Sequence, residues 1–212
     1  ALVPDVAREW ERRTDSKLIE GYGLSETTAN LSLNVPSSRR IGSVGQAMGF
    51  QEIKLMDSSG KMVADGNEGE LWVRGPNVMM GYWKRPEATE EAIDPEGFFK
   101  TGDVAVKLDN GFYKIVDRIK DMILVSGFNV YPNEIENVLY SHPDVLECAV
   151  VGVVDDHSGE AIKAFVVVRN SGLTATALRE FCRQDLTAYK VPKNIEFRDE
   201  LPKSNVGKIL RR

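Results

Sequence analysis

Apolar residues change their period twice along this chain. Near the start, Val3, Val6, Ala7 and Trp10 recur at helical spacing, and Pro4 and Asp5 suit a first turn. A short strand is expected over Lys17 to Glu20, then a loop with two glycines, GYGLSETT, from Gly21 to Thr28. From Ile41 to Asp117 the texture becomes β. Ile53 and Leu55 alternate with charged residues, as do Leu71 and Val73. Turns are signalled by Asp57-Ser58-Ser59-Gly60, Asp65-Gly66-Asn67 and Asp109-Asn110-Gly111. The last separates VAVKL from FYKIV and predicts a hairpin. Proline at its start marks a short helix over Pro86 to Ala92. Many short strands at close intervals predict a small barrel or sandwich.

After Asp117 helices and strands mix. Pro132 to Tyr140 reads as a helix with Ile135, Val138 and Leu139 on one face, and Thr174 to Leu186 as another with Leu178, Phe181 and Cys182 inward. Val145 to Val154 and Ile162 to Val168 read as buried strands, and Asn194 to Arg198 as a last strand. The fold class expected is α+β, with a boundary near Arg118 to Asp121, where RIKD interrupts two apolar runs.

Composition narrows the classes. The 42% hydrophobic and 28% charged residues are ordinary for a globular chain able to bury a core. The net charge of −5 gives no reason to expect nucleic acid as a partner. A late basic run (Lys203, Lys208, Arg211, Arg212) opposes that sign, and by itself reads equally well as a solvated tail. Cys148 and Cys182 have no paired spacing and sit among apolar neighbours, so buried packing in a reducing compartment is expected. No apolar run reaches the roughly 20 residues of a spanning helix. The chain starts at Ala1, directly before a helix, which suggests a piece of something longer.

Candidate chemistry is weak residue by residue. Gly21-Tyr22-Gly23 could end a strand, Glu26 could start a helix, and Thr101-Gly102-Asp103 could be a tight turn. Asp57-Ser58-Ser59-Gly60-Lys61 lacks the glycine spacing of a phosphate loop and reads as a hairpin turn. In order, however, YGLSETT, FFKTGD, VDRIKDMILVSGFNVYPNEIE and LPKSNVGK closely resemble the recurring motifs of the adenylate-forming superfamily, from about Lys17 to Arg212. That superfamily holds acyl-CoA synthetases, peptide-synthetase adenylation domains and beetle luciferases. Glu96 to Lys120 further resembles the fatty acyl-CoA synthetase signature, and VPKNIEFRDELPKSNVGKILRR looks like the end of bacterial long-chain fatty acid–CoA ligases. Phe98-Phe99-Lys100 and Asp117-Arg118-Ile119-Lys120 depart from the commoner Trp-Leu-His and Asp-Arg-Lys-Lys.

The resemblance implies two steps. A carboxylate attacks the α-phosphate of ATP to give acyl-AMP and pyrophosphate, and the thiol of CoA then displaces AMP. Such a protein must position reactants and stabilise negative charge. Tyr22 would pack on adenine beside the backbone of Gly21 and Gly23. Glu26 would coordinate magnesium (Mg2+), a hard cation that takes one or two carboxylates besides phosphate oxygens. Thr27 would lie near the phosphate. Asp103 would accept hydrogen bonds from the ribose hydroxyls, and Arg118 would add a second ribose contact. Lys208, in the Pro202-Lys203…Gly207-Lys208 motif, would be the catalytic adenylation lysine, with Gly207 keeping its loop flexible. Lys120 would be the hinge of a mobile C-terminal domain. Ser126, Gly127 and Phe128 would approach CoA, Gly127 leaving room for pantetheine. Asn129 and Glu134 read as well as a helix-entry cap and first-turn acid.

Residues 1–119 are therefore expected to be the C-terminal portion of a large adenylation domain, with a β-barrel-like subdomain from about residue 41. Residues 120–212 would be the mobile α+β domain. The superfamily's upstream phosphate loop is absent from these residues, so no ligase activity is expected of this chain alone. The main alternatives are an acyl-AMP ligase that loads a carrier protein, a synthetase for another acid, and a scaffold that has kept the fold. Retention of Glu26, Asp103, Arg118 and Lys208 argues against the last. The implied partners are fatty acid, ATP and CoA, and a homodimer is compatible with them. The implied location is cytoplasmic, with peripheral contact at the inner face of the membrane.

Overall fold

The computed structural model describes residues 2, 4–170, 172–205 and 207–211. Ala1, Val3 of the first apolar stripe and Arg212 of the basic run lie outside the described residues. The chain divides into two units, Ala1–Ile119 and Lys120–Arg212.

In the first unit, helix α1 (Pro4–Thr14) starts on its proline and carries Arg12 and Arg13 in its last turn, where cations suit the helix dipole. Ala7 is buried, whereas Val6 and Trp10 are about half exposed. Glu11 fastens the helix by pairing with Arg39 and accepting a hydrogen bond from the Leu18 amide at 3.0 Å. These side-chain bonds explain why Lys17–Glu20, expected as a strand, is not one. The Leu18 carbonyl is likewise taken by Arg39 Nη1 at 3.0 Å.

The strand begins one step later. Strand β1 is Gly21–Leu24, inside the segment expected as a loop, and pairs antiparallel with β2 (Ala29–Leu33), with a bulge between Tyr22 and Gly23. Glycine normally signals against a strand. Here Gly21 answers a packing need, since a Cβ would meet Leu33 Cδ1 at 2.9 Å and the Ser32 carbonyl at 3.2 Å. Strand β3 (Gln46–Ala47) completes this sheet.

A second sheet runs β4 (Glu52–Met56), β5 (Glu68–Arg74), β6 (Phe99–Lys107) and β7 (Tyr113–Arg118) in that order, all antiparallel. The turn at Asp109–Gly111 joins β6 to β7 as the sequence predicts. Leu55, Leu71, Val73, Phe99, Ala105 and Tyr113 alternate inward and share a core with Leu31 and Val44. Phe98 is fully buried beneath Lys54 and Arg74, whose charges lie 3.9 and 4.5 Å from the ring centre. The expected barrel does not close. The outer edge of β7 is engaged by the segment before β3, through Val44 N to Tyr113 O and Tyr113 N to Gly45 O at 2.9 Å each, rather than by β4. Helix α2 (Pro86–Ala92) matches its predicted bounds.

The second unit is built on strands β8 (Ile123–Val125), β9 (Phe128–Val130), β10 (Val145–Asp155), β11 (Gly159–Val168) and β12 (Asn194–Phe197). The sheet order is β10-β11-β8-β9, and β12 adds to β11 in parallel. The β10 and β11 strands extend beyond their predicted ends and meet in a tight turn. There Asp155 Oδ1 accepts from the His157 and Ser158 amides at 3.2 and 3.1 Å. Period-two alternation splits their side chains. Cys148, Val150, Ile162, Ala164 and Val166 face the core formed with α3 (Pro132–Tyr140) and α4 (Ala175–Asp185), through Ile135, Leu139, Leu178 and Cys182. Ala149, Phe165 and Val167 face the opposite side and are covered by Leu201 and Ile209 from the tail. Thr174 caps α4 by accepting from the Ala177 amide at 3.2 Å. Among the described residues no helix is long and apolar enough to cross a membrane.

Candidate nucleotide-binding site

The first unit carries an open groove of about 630 Å³, lined by Leu24, Glu26, Tyr82, Lys100, Gly102 and Arg118 among others. Three local features build the groove and its surroundings, with Glu26, Thr101 and Arg118 in its lining and Asp103 and Tyr22 outside that lining. The β6–β7 hairpin sets Asp103 directly opposite Arg118 in the antiparallel register, although fourteen positions of chain intervene. Arg118 Nε lies 3.3 Å from Asp103 Oδ1, with the arginine about half exposed and the carboxylate nearly buried. From the other sheet, the Tyr22 hydroxyl donates to Asp103 Oδ2 at 2.5 Å. Burial, and then the negative charge of Asp103, push the Tyr22 phenol far above its ordinary range, so it stays a donor.

The turn before Asp103 is fixed both by its own threonine and by the neighbouring strand. Thr101 Oγ1 donates to the Leu71 carbonyl at 2.8 Å and accepts from the Asp103 amide at 3.1 Å. Glu70 accepts from the Gly102 amide at 3.1 Å and from Trp72 Nε1 at 2.8 Å. A buried carboxylate beside a guanidinium fork can accept hydroxyl hydrogens while donors stand alongside, which suits a vicinal diol.

Glu26 sits in the short turn Ser25–Thr27 after β1 and also lines the groove. The Tyr82 hydroxyl donates to Glu26 Oε1 at 3.0 Å, and burial followed by this contact raises the Tyr82 phenol. Among the described residues, no group of three or more His, Cys, Asp or Glu side chains could hold a metal. Thr27 is fully buried, with its hydroxyl donating to the Leu24 carbonyl at 3.0 Å and accepting from the Leu24 amide at 3.1 Å. Its side chain thus locks the turn that presents Glu26. Tyr22 is likewise joined to Asp103 through its hydroxyl, a role that its aromatic character alone does not announce.

The remaining sequence candidates belong to the second unit. Lys120 is exposed in a short 3-10 turn, Ile119–Asp121, at the division between the units. Ser126 and Gly127 form the tight turn between β8 and β9, at φ of 50° and 86°. Two successive positive φ values are the signature of a type I′ hairpin, and Gly127 meets that demand without strain. Phe128 is exposed and stacks on Tyr189 with ring centres 4.8 Å apart. Glu134 is paired with Lys190 Nζ at 2.6 Å, so it does more than start a helix. Lys208 is exposed on a tail hairpin closed by Ser204 N to Lys208 O and Gly207 N to Ser204 O, each at 2.8 Å. Gly207, with φ of 79°, therefore serves a hydrogen-bonded turn rather than a loose loop.

Tyr82, Glu70, Tyr189 and Lys190 were not anticipated. Each acts on a partner distant in sequence or through a neighbouring strand, and no local spacing marks them.

The family described as AMP-binding enzyme matches residues 1–83, and the AMP-binding enzyme C-terminal domain matches residues 134–208. A long-chain fatty acid–CoA ligase from Escherichia coli O157:H7 is 56% identical over 208 residues, covering 98% of this chain and 37% of the ligase. A feruloyl-CoA synthase from an Amycolatopsis species is 44% identical over 196 residues, covering 91% of this chain and 40% of the synthase. The structure of ATP-bound MatB from Rhodopseudomonas palustris superposes with a TM-score of 0.93 at 35% identity, covering 98% of this chain and 42% of MatB. The chain thus spans about two fifths of the length of its relatives and corresponds to their C-terminal part. Fold, groove and similarity together show that the chain belongs to the AMP-binding, adenylate-forming enzyme family.

Proposed function

We propose that these residues are the C-terminal part of an AMP-forming long-chain fatty acid–CoA ligase, which converts ATP, fatty acid and CoA to acyl-CoA, AMP and pyrophosphate through acyl-AMP. The observation that carries this reading is the Asp103 carboxylate, held by Tyr22 and Arg118 beside a groove that also presents Glu26. Asp103 and Arg118 would grip the ribose diol of ATP, while Gly21, Tyr22 and Gly23 would border the adenine. Glu26 is a single hard-oxygen donor, oriented by Tyr82 and facing the groove. It fits a magnesium ion that arrives with the triphosphate and draws its other ligands from phosphate and water. When bound, that ion would neutralise phosphate charge. Thr27 would act through the turn it locks.

In the second unit, Lys208 would supply an ammonium where acid oxygen and α-phosphate converge, a point charge that such crowding needs. Lys120 would be the pivot about which this domain exchanges Lys208 for the Ser126-Gly127-Phe128 turn, and that turn would border CoA. The position of Lys120 at the division between the units supports this role. The preference for a long-chain acid rests on 56% identity to a long-chain ligase against 44% to the feruloyl enzyme. Peripheral membrane contact follows from a substrate that partitions into lipid.

The test uses the full-length protein that contains this chain. Acid-dependent pyrophosphate exchange should respond to long-chain fatty acids and not to ferulate. Lys208→Ala should reduce that exchange by roughly 10²- to 10³-fold, the usual cost of losing one preorganised charge donor. Transfer from supplied acyl-AMP to CoA should be largely spared. Equal loss in both half-reactions would refute the division of labour.

A further inference from the structure

Resting on that reading of Lys208, we propose that Arg211 is its positioning residue, anchoring the lysine hairpin to the turn that begins the second unit. Arg211 lies three positions beyond Lys208 and is mostly buried. Its guanidinium reaches three side chains on two elements at once. Nη2 donates to Glu136 Oε2 and to Asn133 Oδ1 at 2.6 Å each, Nε donates to Glu136 Oε1 at 3.1 Å, and Nη1 lies 3.5 Å from Asp121 Oδ2. Glu136 and Asn133 are on α3, and Asp121 directly follows Lys120. Glu136 is itself fixed, because its Oε1 accepts from the Val150 amide on β10 at 2.8 Å.

The rest of the hairpin shows why this anchor matters. Its first leg is held by Lys203, which pairs with Glu147, and by buried Leu201. Its second leg has Ile209 packed on the outer face of the sheet, then Leu210 largely exposed, then Arg211. Backbone bonds such as Leu210 N to Pro202 O at 2.8 Å tie this leg to the first, and Arg211 adds the side-chain clamp that ties it to α3 and Asp121. A planar fork can bridge two carboxylates and an amide in one geometry, which a lysine cannot reproduce. By joining the Lys208 leg to Asp121, the clamp makes the lysine hairpin, α3 and the Asp121 turn one rigid body, so that Lys208 moves with that turn rather than independently.

The test again uses the full-length protein, with Arg211→Gln and the charge-balanced Glu136→Gln/Arg211→Met. The second variant leaves no unpaired carboxylate on α3, and so guards against simple misfolding. Amide exchange across residues 203–209 should accelerate at least tenfold in both, with α3 unchanged in the balanced variant. Pyrophosphate exchange should lose at least tenfold in kcat, with the KM for ATP and the transfer from acyl-AMP to CoA each within threefold. Arg211→Lys should recover only part of the loss. Unchanged exchange in the hairpin, or equal loss in both half-reactions, would overturn the proposal. If the unsubstituted protein adenylates no acid, the ligase reading fails and takes the assignment to Lys208 with it. Unaltered hairpin exchange in an active enzyme defeats the anchoring alone.

Discussion

Tyr22→Phe removes one oxygen and tests the centre of the site without requiring turnover. In the native chain the hydroxyl donates at 2.5 Å to a carboxylate whose side chain is only 6% exposed. The other described side-chain contact of that carboxylate is Arg118 at 3.3 Å, on a half-exposed arginine that water can reach. Phenylalanine keeps the ring in the core with its neighbours and deletes only the donor. A hydrogen bond to a charged group contributes about 1.5–3 kcal/mol, and the lower half of that range applies where water can partly replace it. The expected destabilisation is therefore about 2 kcal/mol, read as a lower urea midpoint at unchanged slope, with Trp72 fluorescence as a local probe. The alkaline limb adds a second signature. Burial and Asp103 raise the folded-state phenol above its unfolded value, so its contribution is complete below about pH 10 and is lost as pH rises further. The wild-type chain should thus lose stability above pH 10 more steeply than Tyr22→Phe. A variant as stable as wild type, or one with the same alkaline limb, would show that the Tyr22–Asp103 bond holds nothing.

Two further outcomes follow from other parts of the chain. Glu11 is held down to about 2, first by its hydrogen bonds with Arg39 and then by the Leu18 amide. A depressed carboxylate contributes above its unfolded value near 4.5 and loses that contribution as pH falls toward 2. Between these limits the wild-type chain should destabilise more steeply than Glu11→Gln in acid titrations followed by circular dichroism, and parallel curves would count against the α1 anchor. Burial pushes the Cys182 thiol up to about 11 and the Cys148 thiol higher still. Neither should react with a thiol reagent at pH 8 in the native chain, and both should react in urea; rapid native labelling would contradict their packing.

Much of the architecture was legible from local pattern. Helices α2 and α3 fall where proline starts and apolar spacing place them, and the Asp109-Asn110-Gly111 turn forms its hairpin. Strands β8 and β9 were not foreseen, because each is three residues long and the segment reads as a motif rather than an alternation. Lys17–Glu20 is not a strand because side chains of Glu11 and Arg39 take up the amide and carbonyl of Leu18 at its centre, which no local window reveals.

The sequence alone determined the α+β class and the superfamily resemblance, and it named the ionisable groups from Glu26 to Lys208. Periodicity and motif order are local properties, written in consecutive residues. Only the tertiary structure decided that Tyr22 holds Asp103 by its hydroxyl, that Tyr82 orients Glu26, and that Arg211 ties the Lys208 hairpin to Asp121. Those pairings span 81, 56 and 90 positions. They exist because sheet register and core packing bring remote segments together, and the Asp103 carboxylate, buried by that packing, must find a donor from whichever segment arrives beside it.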